Sequence, residues 1–219
     1  MKSAKRVRFK DRIFLVFDDV YEPAEDTFLI AEHLKADGYV LEIGTGCGIL
    51  SILTALKAKH VVATDINPHA AKCAKLNAKI NGVSEKIDIL VGDLFKPIRE
   101  NSTFKTILFN APYLPDGGNE EPRFKSPIDY AWSGGKGGRT VIDRFIQQAP
   151  KHLKPGGRIL LVQSSLSDVE ETIRKFRKQG LQARVVAERE SFFETITLIE
   201  AVRLEEKTKT IQETQPNPS

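Results

Sequence analysis

The sequence predicts an α/β fold: a seven-stranded sheet, mostly parallel, with helices on both faces, a closing antiparallel hairpin, and a separate N-terminal β-hairpin. Three observations predict it. Near-continuous apolar runs alternate with longer segments of helical periodicity, as expected of parallel strands covered on both faces. The last two strand candidates, residues 183–188 and 194–202, are joined only by residues 189–193, too short a link for a parallel crossover. Finally, Lys10-Asp11-Arg12 separates two short apolar-containing runs, residues 6–9 and 13–17, which reads as a hairpin.

The elements follow in order. Val20-Tyr21-Glu22-Pro23-Ala24-Glu25-Asp26-Thr27 leads into a helix over about 25–35, with Phe28, Leu29, Ala31 and Leu34 as its apolar face. Strands are predicted at 39–43, 61–65, 86–91, 105–110 and 158–163, and helices at 49–58, 68–80, 139–153 and 168–179. The helix at 68–80 has the clearest ends. Asn67 is a favoured N-cap, Pro68 suits the first turn, and Asn81-Gly82 makes a left-handed stop. One domain is expected over 1–204, with 1–20 as its hairpin extension, and the polar tail 205–219 is expected to be disordered.

A chain of 219 residues suffices for one α/β core and hardly for two. The net charge of +4, from 33 basic and 29 acidic residues, does not by itself argue for nucleic acid. The first twelve residues set Lys2, Lys5, Arg6, Arg8, Lys10 and Arg12 against Asp11 alone, a solvated basic face or a contact for an anionic partner. Cys47 and Cys73 make no disulfide framework, and His33, His60, His69 and His152 show no metal-ligand spacing, so no metal is expected. No apolar run approaches a membrane span and no signal-peptide pattern opens the chain, so the expected location is cytoplasmic.

Candidate ligand-binding residues stand at successive strand ends. Glu42-Ile43-Gly44-Thr45-Gly46-Cys47-Gly48 follows the first buried strand and enters a helix, where glycines permit a sharp turn and close ligand approach. The spacing is G-x-G-x-G, and Ile49 stands where the third glycine of the dinucleotide fingerprint would fall. Glu42 and the absence of a basic side chain in the turn suit a cationic ligand better than a phosphate. Asp65, with Ile66 beside it, closes the second strand and can accept from ribose hydroxyls, or cap Asn67-Pro68. Asp93, with Leu94, follows the third strand and can accept from an adenine amino group, or start a turn.

Asn110-Ala111-Pro112-Tyr113 ends the apolar run 106–109. A side-chain amide, backbone carbonyls and an aromatic ring together suit a planar NH2 group, while a plain Asn-initiated turn is the simpler account of the same residues. Further on, Ser133-Gly134-Gly135-Lys136-Gly137-Gly138 reads as a lid or as a connector. Lys136 and Arg139 there read as solvated charges or as contacts for an acidic or nucleic-acid partner.

The order Glu42-x-Gly44-x-Gly46-x-Gly48, Asp65, Asp93, Asn110-Ala111-Pro112-Tyr113 resembles the S-adenosylmethionine-dependent methyltransferases with a Rossmann-like seven-stranded sheet. Residues 20–27 and Trp132-Ser133-Gly134-Gly135-Lys136-Gly137-Gly138-Arg139 narrow the resemblance to the HemK-type protein-glutamine methyltransferases. The short archaeal and eukaryotic branch, without the helical N-terminal domain of the bacterial enzymes, is the most similar, and the resemblance spans about residues 21–202. It implies S-adenosylmethionine bound by Thr27, Glu42, Gly44, Gly46, Gly48, Asp65, Ile66, Asp93, Leu94 and Asn110. It implies transfer to a glutamine side-chain amide in a translation release factor, and a small zinc-binding activator subunit as heterodimer partner. Asn110 and the Ala111 carbonyl would then accept the two N–H groups, Pro112 would fix the backbone and Tyr113 would pack on the amide plane. The same signature occurs in enzymes that methylate adenine or guanine amino groups, so RNA or DNA stands as the alternative substrate, favoured only by the basic N-terminus. A non-catalytic scaffold is the third reading. The family pattern has proline where this chain has Ala111, which leaves the local backbone less predetermined.

Overall fold

The computed structural model describes residues 4–116, 126–191 and 193–205. Its main sheet has seven strands: β3 (Tyr39–Ile43), β4 (His60–Asp65), β5 (Ile87–Val91), β6 (Phe104–Asn110), β7 (Leu153–Ser164), β8 (Gln182–Ser191) and β9 (Glu194–Val202). Their order is β5-β4-β3-β6-β7-β9-β8, parallel through β7 and antiparallel at both β9 pairings. The predicted sheet and its closing hairpin are thus present. The N-terminal hairpin, β1 (Ala4–Phe9) with β2 (Arg12–Phe17), forms its own two-stranded sheet.

Residues along each strand point alternately to opposite faces, and the core divides accordingly. Val40, Leu108, Leu160 and Leu198 join one apolar cluster with α1 (Glu25–Glu32), α2 (Ile49–Ala55) and α3 (Pro68–Ile80). Their neighbours Leu41, Phe109, Leu161 and Ile199 join the other, with α4 (Thr140–Gln148) and α5 (Val169–Lys178). The hairpin lies on α3, where Asn77 accepts from the Leu15 N–H at 2.8 Å and donates to the Leu15 carbonyl at 2.7 Å.

Several boundaries differ from the sequence reading: α2 ends at Ala55, short of residue 58, β8 runs beyond the expected 183–188, and three others have local reasons. α1 ends at Glu32, not near residue 35, where His33 Nδ1 meets the Leu29 carbonyl at 2.9 Å. Its buried face is Asp26, Thr27, Leu29, Ile30 and Ala31, whereas Phe28 turns outward to stack on Phe9 at 4.9 Å. α4 stops before Pro150, which sits in a 3-10 turn over Ala149–His152. β7 starts at Leu153 because residues 154–157 form a bulge between the Phe104–Leu153 and Thr106–Arg158 pairs. The helix ends at Asn67, Pro68 and Gly82 are as predicted, with Asn67 accepting from the His69 N–H at 2.9 Å. Of the polar tail, residues 206–219 lie outside the described residues.

The connectivity turns one way from β3 to β4 and β5 and the other way from β3 to β6 and β7. Crevices at such a reversal, outside the carboxyl ends of the strands, are where open α/β sheets bind ligands. Every strand-end residue singled out in the sequence lies on that side.

Candidate active site

A cavity of about 340 Å³ opens at this reversal. Thr27, Glu42, Gly44, Gly46, Asp65, Ile66, Asp93, Leu94, Asn110 and Pro112 all line it. Of the remaining candidates, Gly48, Ala111 and Tyr113 stand behind its wall. Gly48 is the left-handed N-cap of α2 at φ 87°, and a Cβ there would lie 2.9 Å from the Ala74 Cβ, so this glycine serves helix packing.

Glu42 is fully enclosed, and its Oε2 accepts from Thr45 Oγ1 at 2.9 Å and from the Ser51 hydroxyl. Burial pushes its carboxyl up to about 8. The two hydroxyls oppose that shift and the nearby Asp65 charge adds to it. Asp65 accepts from the Gly46 N–H through Oδ2 and from the Asn67 N–H through Oδ1, both at 2.8 Å. It therefore both braces the glycine turn and caps α3 from the strand end, and burial still raises it to about 6 against those two bonds. Each oxygen keeps a lone pair for a further donor.

Asp93 differs from the sequence reading of a free acceptor. Its Oδ2 is paired with Arg144 at 2.5 Å and with Lys96 at 3.0 Å. Partial burial pushes its carboxyl upward, but these cations outweigh burial and hold it below the ordinary aspartate value. Among the described residues, no ion pair reaches Oδ1. Leu94, beside it, is buried at φ 49°, a left-handed conformation that costs a non-glycine residue about 1–2 kcal/mol. The carbonyl of Leu94 accepts from Thr64 Oγ1 at 3.2 Å, which helps hold that turn.

Asn110 is the substrate-side candidate. Its Nδ2 donates to Thr27 Oγ1 at 3.1 Å, and the Thr27 hydroxyl donates to Asp26 Oδ1 at 3.1 Å. A threonine hydroxyl has one proton. Because that proton goes to Asp26, the Thr27 oxygen can only accept from Asn110, and the amide oxygen must face the other way. Asn110 Oδ1 is buried and has no partner among the described residues. An unpartnered buried acceptor costs about 1–3 kcal/mol, which marks this oxygen as a candidate to receive a donor from outside the chain.

Asp26 is the anchor of this relay and was not among the predicted site residues. It is buried on α1 and accepts from Tyr21 at 3.0 Å and Tyr113 at 3.3 Å through Oδ2. Burial and the Asp26 charge raise both phenols above the ordinary tyrosine value, keeping them as donors. Arg144, from α4, was also missed. Only charge and length marked either residue in the sequence.

Ala111 continues the β6–β7 pairing: its N–H donates to the Val162 carbonyl at 3.2 Å. A proline has no such donor. The glycine-rich segment is neither a lid nor a bare connector. Ser133, Gly134, Gly135 and Gly138 are buried; next to the signature loop, the Leu114 N–H donates to the Trp132 carbonyl and the Gly134 N–H to the Leu114 carbonyl, both at 2.9 Å. Gly138, at φ 69°, backs directly onto Tyr113, where a Cβ would come within 2.0 Å of the Tyr113 carbonyl oxygen. Arg139 is committed internally, to Asp143 at 2.8 Å, Thr172 at 3.1 Å and the Asp168 carbonyl at 2.6 Å.

With this geometry in view, similarity to known proteins is informative. A family model described as ribosomal protein L11 methyltransferase matches residues 27–111. A candidate protein N5-glutamine methyltransferase of Methanocaldococcus jannaschii is 43% identical over 85% of this chain and 93% of its own length. The human methyltransferase HEMK2 is 35% identical over 84% of this chain and 89% of its own. The chain belongs to the HemK-type S-adenosylmethionine-dependent methyltransferases. The Mtq2–Trm112 complex of E. cuniculi, which methylates the termination factor eRF1, superposes with a TM-score of 0.62. It is 25% identical and covers 84% of this chain and 99% of that one. The M. jannaschii tRNA m1G37 methyltransferase shares the fold, with a TM-score of 0.68 at 20% identity over 94% of this chain and 58% of that one.

The residues present fit the family's cofactor. Asp65 and Glu42 bring carboxylate oxygens with spare lone pairs to the cavity lining, the chemistry that hydroxyl donors and cationic groups require. Ile66, at the cavity lining, is 38% exposed and offers an apolar edge for a planar base.

Proposed function

We propose that the enzyme methylates the side-chain amide nitrogen of a glutamine in a translation release factor. The observation that carries this reading is the buried, unpartnered Asn110 Oδ1, fixed in direction by Thr27 and Asp26. It accepts one N–H of the incoming amide, and the Ala111 carbonyl takes the second role. S-adenosylmethionine supplies a methyl group on a positively charged sulfur. The protein's task is to aim the weakly nucleophilic nitrogen along the C–S axis and to favour the positive charge that builds on it. Two carbonyl acceptors do both. Tyr113, tethered to Asp26, closes the flank of that slot. Thr27 lies toward the cofactor side, Glu42 faces its cationic portion, Asp65 the ribose, and Asp93 Oδ1 with Ile66 and Leu94 the base, while Asn110, on the same cavity wall, keeps its Oδ1 for the acceptor amide.

The activities for which relatives are named support a glutamine acceptor. Sequences named release factor glutamine methyltransferase from Aquifex aeolicus and Cereibacter sphaeroides match 68% and 70% of the chain at 29% and 32% identity. A small Trm112-like zinc-binding subunit is the proposed activator, after the E. cuniculi complex. The outer strand β5, with Val91 54% exposed, and the N-terminal hairpin are the candidate surfaces for docking by strand addition. A release factor as substrate places the activity in the cytoplasm.

The test is transfer of labelled methyl groups to release factor or to RNA, with and without the activator. Label on release factor that disappears when the acceptor glutamine is replaced supports the reading. Label on RNA alone overturns it in favour of a nucleobase amine.

A further inference from the structure

The cofactor cavity occupies the carboxyl ends of the parallel strands, and their opposite ends carry a second cleft of about 450 Å³ with a cationic rim. Four separate pieces of chain build it. Lys35 comes from the α1–β3 connection, Lys57 from the α2–β4 connection, Lys105 from the start of β6 and Arg158 from β7. Next to the cleft, Tyr39 opens β3 at 41% exposure, with Lys59 Nζ 5.1 Å and Lys154 Nζ 5.7 Å from its ring centre. The two groups adjoin, since a Cβ on Gly38 would sit 3.6 Å from the Lys105 Cβ and the Lys59 N–H donates to the Gly38 carbonyl at 2.8 Å.

Several cations on other faces are matched: Arg139 and Lys175 with Asp143, Arg144 with Asp93, Arg189 with Glu25 and Glu32, Arg174 with Glu171. What marks this end of the molecule is the convergence of cations from separate chain segments on one cleft. Among the described residues, Lys35, Lys57, Lys59, Lys105 and Lys154 make no ion pair. Arg158 is drawn on by Glu200 at 3.5 Å and donates to the Lys35 carbonyl. The carboxylates close by are Asp37 on the cleft wall and Glu205 beside Gly156. Grouped ammonium ions repel one another, so such a cluster is a focused positive field awaiting an anion.

We propose that this end of the sheet docks a nucleic-acid phosphate backbone. Lysine is depleted from protein–protein interface cores, which are built on aromatic and aliphatic anchors. The apolar members of the cleft, Leu34 and Ala36, make no such core. Flexible point charges distributed over two adjoining groups suit repeated phosphates instead. The Tyr39 ring already carries two ammonium groups, so it orients lysines and does not read bases. Binding is therefore sequence-independent and salt-sensitive. It also leaves the cofactor cavity open, because the two sites lie at opposite strand ends. The nucleic acid here is a docking partner, distinct from the methyl acceptor.

The experiment measures fluorescence anisotropy of a labelled single-stranded RNA against salt concentration. It compares the full chain with a Lys57→Ala/Lys59→Ala/Lys105→Ala variant, a matching Lys→Arg triple and an Arg6→Ala/Arg8→Ala hairpin variant. The alanine triple is expected to weaken binding at least about tenfold and to flatten the log–log salt slope by roughly 2, at about 0.7 per single-strand phosphate contact. The arginine triple and the hairpin variant keep affinity within about twofold of the starting protein. Methyl transfer to release factor stays unchanged in the alanine triple. Absence of RNA binding in the unaltered protein, or loss confined to the hairpin variant, overturns the proposal. So does a polyglutamate peptide that displaces RNA and loses its own binding in the alanine triple, since that assigns the cleft to an acidic protein segment.

Discussion

With Glu42 facing the cofactor's cationic portion, as proposed, cofactor affinity should depend on pH. With its carboxyl pushed up to about 8, Glu42 is roughly nine-tenths neutral at about pH 7 in the free protein. A ligand whose cation faces it binds the ionised form, so association must first remove that proton. The apparent association constant then scales with the ionised fraction. Between about pH 6.5 and about pH 7.5 it rises roughly eightfold, and each pH unit well below the pKa is worth about 1.4 kcal/mol. Asp65, at about 6, adds a factor of only about 1.3 in the same interval. Isothermal titration of S-adenosylmethionine in buffers of different protonation enthalpy should show close to one proton released per site near neutrality. Glu42→Gln keeps an acceptor for Thr45 and Ser51 but cannot ionise, so its affinity should vary with pH only through Asp65 and the ligand. An unaltered protein with flat affinity, or a Gln variant with the same slope, would refute the reasoning.

The same shift has a signed effect on stability without ligand. Glu42 and Asp65 both have folded-state values above their ordinary 4.5 and 3.8. The folded protein thus binds more protons, and their contribution is fully present below about pH 4. It is lost as pH rises through about 6 for Asp65 and about 8 for Glu42. Melting temperature of the unliganded protein should fall across that window, and Glu42→Gln should remove the upper part of the fall.

Three substitutions probe the substrate side. Asn110→Ala should lower kcat by about 10²–10³, with the cofactor Kd within roughly threefold of the parent as read by calorimetry. A parallel collapse of binding and transfer would deny Asn110 its acceptor role. Gly138→Ala forces a Cβ to within 2.0 Å of the Tyr113 carbonyl and a left-handed φ on alanine. It should cost about 2–4 kcal/mol in denaturant unfolding, and an unchanged midpoint would show that the glycine segment does not buttress the signature loop. Ala111→Pro gives up the bond to Val162, worth about 0.5–1.5 kcal/mol, but restricts the unfolded chain by about 0.4–1 kcal/mol. Net stability should therefore move by less than about 1 kcal/mol, and a larger loss would mark the Ala111 N–H as indispensable.

What was legible in the sequence shares one property: its signal is local. Buried strands show as apolar runs, and β3 and β9 keep the expected ends. Strand-end residues from Glu42 to Asn110 reach one cavity because parallel strands all deliver their carboxyl ends to the same side. What escaped was contact between distant segments. Arg144 meets Asp93 from a helix 51 residues further on, which turned an expected free acceptor into a half-occupied one. The basic cleft draws its lysines from several connections, none of which is conspicuous in sequence. The bulge at 154–157 hid the start of β7, because Pro155-Gly156-Gly157 reads as a turn when the partner strand is not in view.

Ala111 shows how such distant contacts can stand in for a local constraint. A proline at that position would fix the backbone of the acceptor loop by its own ring. Here the N–H of Ala111 extends the ladder to Val162, Gly138 presses on the Tyr113 carbonyl, and Tyr113 is tied to Asp26. Asp26 in turn sets the Thr27 hydroxyl and, across 83 residues, the direction of the Asn110 amide. The loop is therefore held from the β7 side, from behind and from α1 at once. Geometry that a proline ring encodes within one residue is distributed over three other segments, and single replacements among them should alter transfer before they alter cofactor binding.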